Sequence, residues 1–158
     1  MPLSQNGLEL LKDLEGIEYE PYRDSAGLLT VGCGHLLTRD ELSSGKIQCE
    51  DQIIRWKDGP LTDDEINSLL QEDVGWAEAA VDRAIQVGLT QNQFDSLVLF
   101  CFNIGANAFR ESTLCKLLNE GNYTAVPDQM MRWCYAGGRV VRGLQTRRAR
   151  EVALWNKE

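Results

Sequence analysis

The sequence lacks several features that define other classes of protein. The N-terminus has no basic segment followed by a long apolar run, and no stretch is apolar enough to span a bilayer. Neither a signal peptide nor a membrane anchor is therefore expected. The five cysteines form no C-x-x-C pair, which argues against a zinc site. Their odd number, in a chain without a leader, predicts free and mostly buried thiols.

Positive charge is also scarce. The 158 residues include 16 Lys and Arg against 24 Asp and Glu, a formal net charge of −8, which argues against duplex DNA as a partner. Residues 137–158 differ, because six basic residues there face two glutamates, a net charge of +4. This segment fits an anionic surface such as a cell envelope, although a solvated helix face is the simpler interpretation of most of its arginines.

Residues 14–35 hold the polar side chains that suggest chemistry. Ser4 is a good N-cap for a first helix, and Leu8 and Leu11 mark its apolar face. Glu15 lies four residues beyond Leu11 on that same face, and Gly16 then ends the helix. Burial there would disfavour the charged carboxylate, which suits a proton donor. A frayed last turn with Glu15 in water is the alternative, and it is the better explanation of an isolated helix-end glutamate.

A β-hairpin is predicted next, with strands at 19–23 and 28–32. Asp24 opens the sequence D-S-A-G, which is typical of a type I turn. A strict two-residue turn would pair Asp24 with Gly27 and place Thr30 on the opposite face. Both side chains can line one face only if Gly27 belongs to a bulge or a longer loop.

The order and spacing of these residues resemble the phage-type lysozymes, family 24 of the glycoside hydrolases. The resemblance spans most of the chain. It is carried by Glu15, Asp24, Thr30, the run Gly32-Cys33-Gly34-His35, Leu36-Leu37-Thr38, Asn103-Ile104-Gly105, Gly143-Leu144 and Arg147-Arg148.

The resemblance implies hydrolysis of the β-1,4 bond between N-acetylmuramic acid and N-acetylglucosamine in peptidoglycan, with inversion and without a metal or cofactor. Glu15 would protonate the leaving oxygen, Asp24 would help to position water, and Thr30 would hold that water. The residues expected to bind substrate are Gly32, Gly34, Leu36, Phe102, Asn103 and Trp133.

The resemblance also implies two supporting ion pairs. Arg148, or less well Arg147, is expected to pair with Glu15. His35, the one histidine, is expected to pair with Asp73, which raises the pKa of His35 and stabilises the fold. A neutral His35 bonded to a backbone carbonyl is the alternative.

The predicted fold is α+β and lysozyme-like, with a small β-hairpin lobe (15–60), a long linking helix (61–85) and a larger helical lobe (86–158 with 1–14). A cleft is expected between the lobes. Thr62 and Thr90 begin helices through capping boxes, and Thr146 is expected to open the last helix. Helices are also expected at 112–119 and 123–133.

The whole pattern suggests a phage endolysin for host lysis. We expect a monomer that is made in the host cytoplasm without a signal peptide, is released, and acts on the glycan strands of peptidoglycan. Neither nucleic acid nor stable membrane insertion is expected. Two alternatives stay open: a related glycan-cleaving enzyme, such as a chitosanase or a lytic transglycosylase, and an inactive envelope-binding module.

Overall fold

The computed structural model describes residues 1–50 and 52–158, so Asp51 of the predicted 15–60 lobe lies outside it. The fold is α+β, as predicted. The chain divides into two compact units, which we call the sheet unit (Leu8–Gly75) and the helical unit (Met1–Gly7 with Trp76–Glu158). These bounds differ from the predicted lobes, because the division falls at Gly75 and only the first seven residues join the helical unit.

The helices and strands follow one another along the described residues with short connections. In chain order they are α1 (Gln5–Glu15), β1 (Glu18–Arg23), β2 (Leu29–Gly32), β3 (His35–Leu36), α2 (Arg39–Ser44), β4 (Ile47–Cys49), β5 (Gln52–Ile54), α3 (Asp63–Asp73), α4 (Gly75–Ala84), α5 (Gln91–Ile104), α6 (Ala106–Arg110), α7 (Thr113–Asn119), a 3₁₀ turn (Tyr123–Ala125), α8 (Val126–Met131), β6 (Tyr135–Ala136), β7 (Arg139–Val140) and α9 (Arg142–Trp155).

Helix α1 begins and ends as its sequence predicts. The Ser4 hydroxyl accepts a hydrogen bond from the Gly7 amide at 3.0 Å, which is the expected N-cap. At the other end, Gly16 has φ +80° and its amide donates to the Lys12 carbonyl at 2.9 Å. The helix therefore stops immediately after Glu15.

The sheet unit packs two small antiparallel sheets against α3. One sheet has the order β1-β2-β3, the other pairs β4 with β5, and α3 contacts β2, β3 and β4. The short helix α2 precedes β4, and Thr38 and Glu41 start it with a capping box. The buried apolar residues of this unit include Leu8, Leu11, Val31, Leu37, Ile47, Ile54, Trp56, Leu61, Ile66, Leu69 and Leu70.

The predicted single helix over 61–85 is wrong in one respect. Thr62 starts it with the expected capping box, but α3 ends at Asp73 and α4 begins at Gly75. Val74 between them keeps a near-helical backbone, with φ −77° and ψ −12°. Glycine is a poor helix former, so the break between α3 and α4 has a local cause at Gly75.

The helical unit is organised around α5, whose middle is buried on every side. Thr90 and Gln93 form the predicted capping box at its start. It packs on α9, which also contacts α8, and α8 contacts α7. The fully buried residues of α5 run from Phe94 to Cys101. No helix within residues 1–50 and 52–158 is both long and apolar enough to cross a membrane.

Two predictions about the helical unit need correction. The last helix begins at Arg142, four residues before Thr146, whose hydroxyl donates to the Arg142 carbonyl inside the helix. The helix expected at 123–133 is a 3₁₀ turn followed by α8, with Pro127 in the first turn of α8. Gly137 and Gly138, whose φ values are +60° and +76°, form the turn of the β6–β7 hairpin.

Candidate active site

The register of the β1–β2 hairpin brings three polar side chains to one face. Tyr22 pairs directly with Thr30, so their side chains share a face of the sheet. Asp24 follows Tyr22 by two residues, and its amide donates to the Leu28 carbonyl at 2.9 Å. Alternation along the chain therefore keeps Asp24 on the face of Tyr22 and Thr30. The predicted longer loop is confirmed, because three residues separate Asp24 from Leu28.

The loop itself orients the Asp24 carboxylate. The Gly27 amide donates to the Asp24 carbonyl at 2.9 Å, and Gly27 has φ +80°. This is the three-residue hairpin loop in which the third residue is left-handed. Oδ1 of Asp24 accepts hydrogen bonds from the amides of Ala26 at 2.9 Å and Leu28 at 2.8 Å. The carboxylate is thus held by the backbone in a half-buried position.

Thr30 is buried, with 3 % of its surface exposed. Its hydroxyl donates to the Leu28 carbonyl at 3.0 Å. A hydroxyl has one proton, so Oγ1 of Thr30 is left as a hydrogen-bond acceptor.

The expectation that Glu15 is buried is wrong, because Glu15 is exposed. Leu8 and Leu11 of the same helix face are buried, but α1 ends at Glu15 and no further helical turn follows to cover it. The Glu15 carboxylate nevertheless affects the pKa of Tyr22 in the hairpin. Burial first, and then the negative charges of Glu18, Asp24 and Glu15, raise the pKa of Tyr22. Glu15 and Asp24 therefore both lie within electrostatic range of one tyrosine.

A glycine turn connects β2 to β3. Gly32 and Gly34 have φ +63° and +86°, conformations that favour glycine. Between them, Cys33 is buried, and burial raises the pKa of its thiol to about 11, although Lys12 opposes the shift. Leu36 beyond the turn is 49 % exposed, as a substrate contact requires.

His35 lies between two carboxylates. Its Nδ1 is 2.8 Å from Oδ2 and 3.0 Å from Oδ1 of Asp73, so the predicted pair is present. Its Nε2 is 2.9 Å from Oε1 of Glu41, which was not predicted. Burial alone lowers the pKa of His35, but the hydrogen bonds and charges of Asp73 and Glu41 outweigh it and raise this pKa to about 9. His35 is therefore a cation at neutral pH.

The remaining predicted residues belong to the helical unit. Arg148 is fully buried, and it donates to Glu151, to the Asn103 side chain and, from Nε, to the Trp133 carbonyl at 2.9 Å. The Arg148 guanidinium also lies 5.0 Å from the centre of the Phe100 ring. Arg148 thus connects α9 to α5 and to the segment after α8. Its pairing with Glu15 stays a prediction.

Arg147 is bound within the same cluster. Its Nε donates to Glu151 at 3.0 Å and its NH2 to the Leu99 carbonyl at 2.9 Å. Phe102 stacks on Trp76 with 5.6 Å between ring centres. Asn103 is exposed, and Phe102 and Trp133 are partly exposed. Substrate binding by these residues stays a prediction.

Sequence reasoning missed Tyr22 and Glu41. Strand alternation points to Tyr22, which precedes Asp24 by two residues. The capping-box pattern points to Glu41, because Oε1 of that residue also accepts a bond from the Thr38 amide at 2.9 Å.

All five cysteines are free and buried, as predicted. Across the part of the chain that the structure describes, no group of three His, Cys, Asp or Glu residues is arranged to hold a metal ion.

The chain is similar to known proteins over most of its length. The family model described as phage lysozyme matches residues 12–151. The SAR-endolysin of Escherichia phage Mu is 41 % identical over 143 residues, covering 90 % of this chain and 74 % of that protein. The endolysin of Salmonella phage P22 is 37 % identical over 155 residues, covering 98 % of each. A crystal structure of a P22 lysozyme mutant superposes with a TM-score of 0.82 at 35 % identity, covering 99 % of each chain.

Proposed function

Because the chain belongs to the phage lysozyme family, we propose that it is a muramidase of phage host lysis that hydrolyses the β-1,4 bond between N-acetylmuramic acid and N-acetylglucosamine. The observation that carries the proposal is the hairpin register, which places Asp24, Tyr22 and Thr30 on one face. The relatives of this protein are named endolysins and lysozymes, so a chitosanase, a transglycosylase or an inactive module is not favoured as its function.

Glu15 is the proton donor in this proposal. Its position at an exposed helix end gives a polymeric substrate direct access to the carboxyl group. Proton transfer to the glycosidic oxygen lets the leaving sugar depart as a neutral alcohol. Tyr22 pairs with Thr30 on the hairpin, and we assign it the role of positioning the sugar on that face.

Asp24 and Thr30 act on the attacking water. Asp24 accepts one proton of that water, while Oγ1 of Thr30 accepts a hydrogen bond from the other, since the Thr30 hydroxyl proton is directed to Leu28. The water oxygen then presents a lone pair to the anomeric carbon. A water that attacks opposite the leaving group inverts the anomeric centre. The enzyme is expected to work as a monomer on glycan strands.

The test compares Glu15→Gln with Asp13→Asn, which removes the same charge from the same helix. Clearing of permeabilised Gram-negative cells should fall by about 10²–10⁴-fold or more in Glu15→Gln and stay within about twofold in Asp13→Asn. Far-UV circular dichroism should be unchanged in both. Activity above roughly a tenth of wild type in Glu15→Gln would refute the role of Glu15.

The products distinguish hydrolysis from the related reaction. A new reducing end indicates hydrolysis, whereas an anhydro-sugar indicates transglycosylation. Proton NMR of the first-formed product tests inversion separately, and a β anomer would contradict it.

A further inference from the structure

The β6–β7 hairpin presents an unusual surface for an acidic protein. We call it the arginine hairpin and define it as residues 131–142. It holds Arg132, Arg139 and Arg142 and no Asp or Glu. The three arginines are exposed, and among residues 1–50 and 52–158 no side chain forms a salt bridge or hydrogen bond with their guanidinium groups.

Charge is divided unequally between the two units. The helical unit has ten basic and eight acidic residues, a net charge of +2. The sheet unit has six basic and sixteen acidic residues, a net charge of −10. The arginine hairpin contributes +3, so the rest of the helical unit carries −1. The positive character of the helical unit is therefore concentrated in this one segment.

The same hairpin exposes apolar side chains. Tyr135 pairs directly with Val140, so both side chains lie on one face of the ribbon. They are 61 % and 49 % exposed, and Met131, at the end of α8, is 36 % exposed. Cys134, on the other face by alternation, is buried. The register therefore directs an apolar pair outward from one face of the ribbon, whereas Arg139, which pairs with Ala136, belongs to the other face.

We propose that the arginine hairpin binds the carboxylate-bearing stem peptides of peptidoglycan. This inference rests on the proposed function. The N-acetylated sugars of the glycan backbone offer no strong ionic partner to each arginine, whereas the peptides attached to them carry free carboxylates. Guanidinium groups bind carboxylates with two parallel hydrogen bonds. Tyr135 and Val140 would contact the alanine methyl groups of the same peptides.

The test measures binding apart from cleavage. Protein carrying Glu15→Gln is sedimented with intact Gram-negative sacculi and with sacculi whose free carboxyl groups have been amidated with a carbodiimide and ethanolamine. The hairpin variant adds Arg132→Gln, Arg139→Gln and Arg142→Gln. The matched control adds Arg83→Gln, Arg110→Gln and Lys116→Gln, which remove three exposed charges elsewhere in the helical unit.

The hairpin variant should bind intact sacculi about 3- to 100-fold more weakly than its parent, which is the loss expected when three exposed ion pairs are removed. On amidated sacculi it should match its parent, and the control should match the parent on both. Replacing the three arginines by lysine should restore only part of the binding, because the charge is kept but the paired hydrogen bonds of the guanidinium group are lost. Raising the salt concentration should weaken the parent more than the hairpin variant.

Equal binding of the hairpin variant and its parent to intact sacculi would overturn the proposal. An equal loss on intact and amidated sacculi would overturn it too, because the contact would then not be with the peptide carboxylates. Binding of the same proteins to phosphatidylglycerol vesicles is measured last. If the hairpin variant binds only the vesicles more weakly than its parent does, the hairpin binds lipid and the proposal is overturned. Release of reducing ends by the wild-type protein reports the proposed function separately, whatever the binding result.

Discussion

The cluster of His35, Asp73 and Glu41 should make stability fall as the pH rises above neutrality. His35 is held as a cation, with Asp73 on Nδ1 and Glu41 on Nε2. Its pKa is about 9 in the folded protein, against 6.5 for an unperturbed histidine. A group whose pKa is higher in the folded state stabilises that state fully below the unfolded value. The contribution is then lost as the pH rises through the folded value.

The magnitude follows from the size of this shift. A shift of one pKa unit corresponds to about 1.4 kcal/mol, so the full shift corresponds to about 3 kcal/mol. The Asp73 side chain is 28 % exposed, and solvent there screens part of the interaction. We therefore expect wild type to lose about 1–3 kcal/mol of unfolding free energy between pH 6.5 and about pH 10.

The assay combines urea unfolding with NMR of the one histidine, whose ring signals need no assignment by mutagenesis. Asp73→Asn should lower the His35 midpoint more than Glu41→Gln does, because Asp73 contributes more to the shift. Glutamine at position 41 can keep the capping box, so this variant removes mainly charge. Asp64→Asn on α3 is the control and should leave the midpoint unchanged. Identical midpoints in wild type and Asp73→Asn would refute the reasoning.

Three other outcomes are expected. Gly7→Ala should destabilise the protein by about 1–3 kcal/mol, because a Cβ there would lie 2.9 Å from the Asp95 carboxyl. Gly143→Ala in α9 should stabilise the protein by about 0.5 kcal/mol, because a Cβ there meets nothing within 4 Å. Chemical denaturation of the two variants checks the sign of each change in unfolding free energy. Thiol titration of the unfolded, unreduced protein should count five thiols, and a count of three would mean that a disulfide forms. Thr30→Val should reduce muramidase activity far more than Thr30→Ser, and equal rates would remove the hydroxyl from the mechanism.

Local sequence patterns were sufficient to predict structure wherever the interacting groups lie only a few residues apart in the chain. The N-cap at Ser4, the stop at Gly16 and the capping boxes at Thr62 and Thr90 depend on bonds within one helical turn. The sequence left the loop after Asp24 open, since parity along two strands required a bulge or a longer loop only if Asp24 and Thr30 share a face. The His35–Asp73 pair came from the family resemblance, because 38 residues separate the partners.

Tertiary structure decided the properties that depend on what surrounds a side chain. Periodicity placed Glu15 on the apolar face of α1, but exposure depends on whether another element covers that position, and the helix ends there. Glu41 reaches His35 because α2 starts at Arg39 and turns its third residue back toward β3. The four residues of β6 and β7 are too few to produce a pattern, and their pairing depends on Val141 bonding back to Cys134. Helix caps are encoded within one turn of the chain, whereas burial, ion pairs and short ribbons are determined by segments that the chain brings together only on folding.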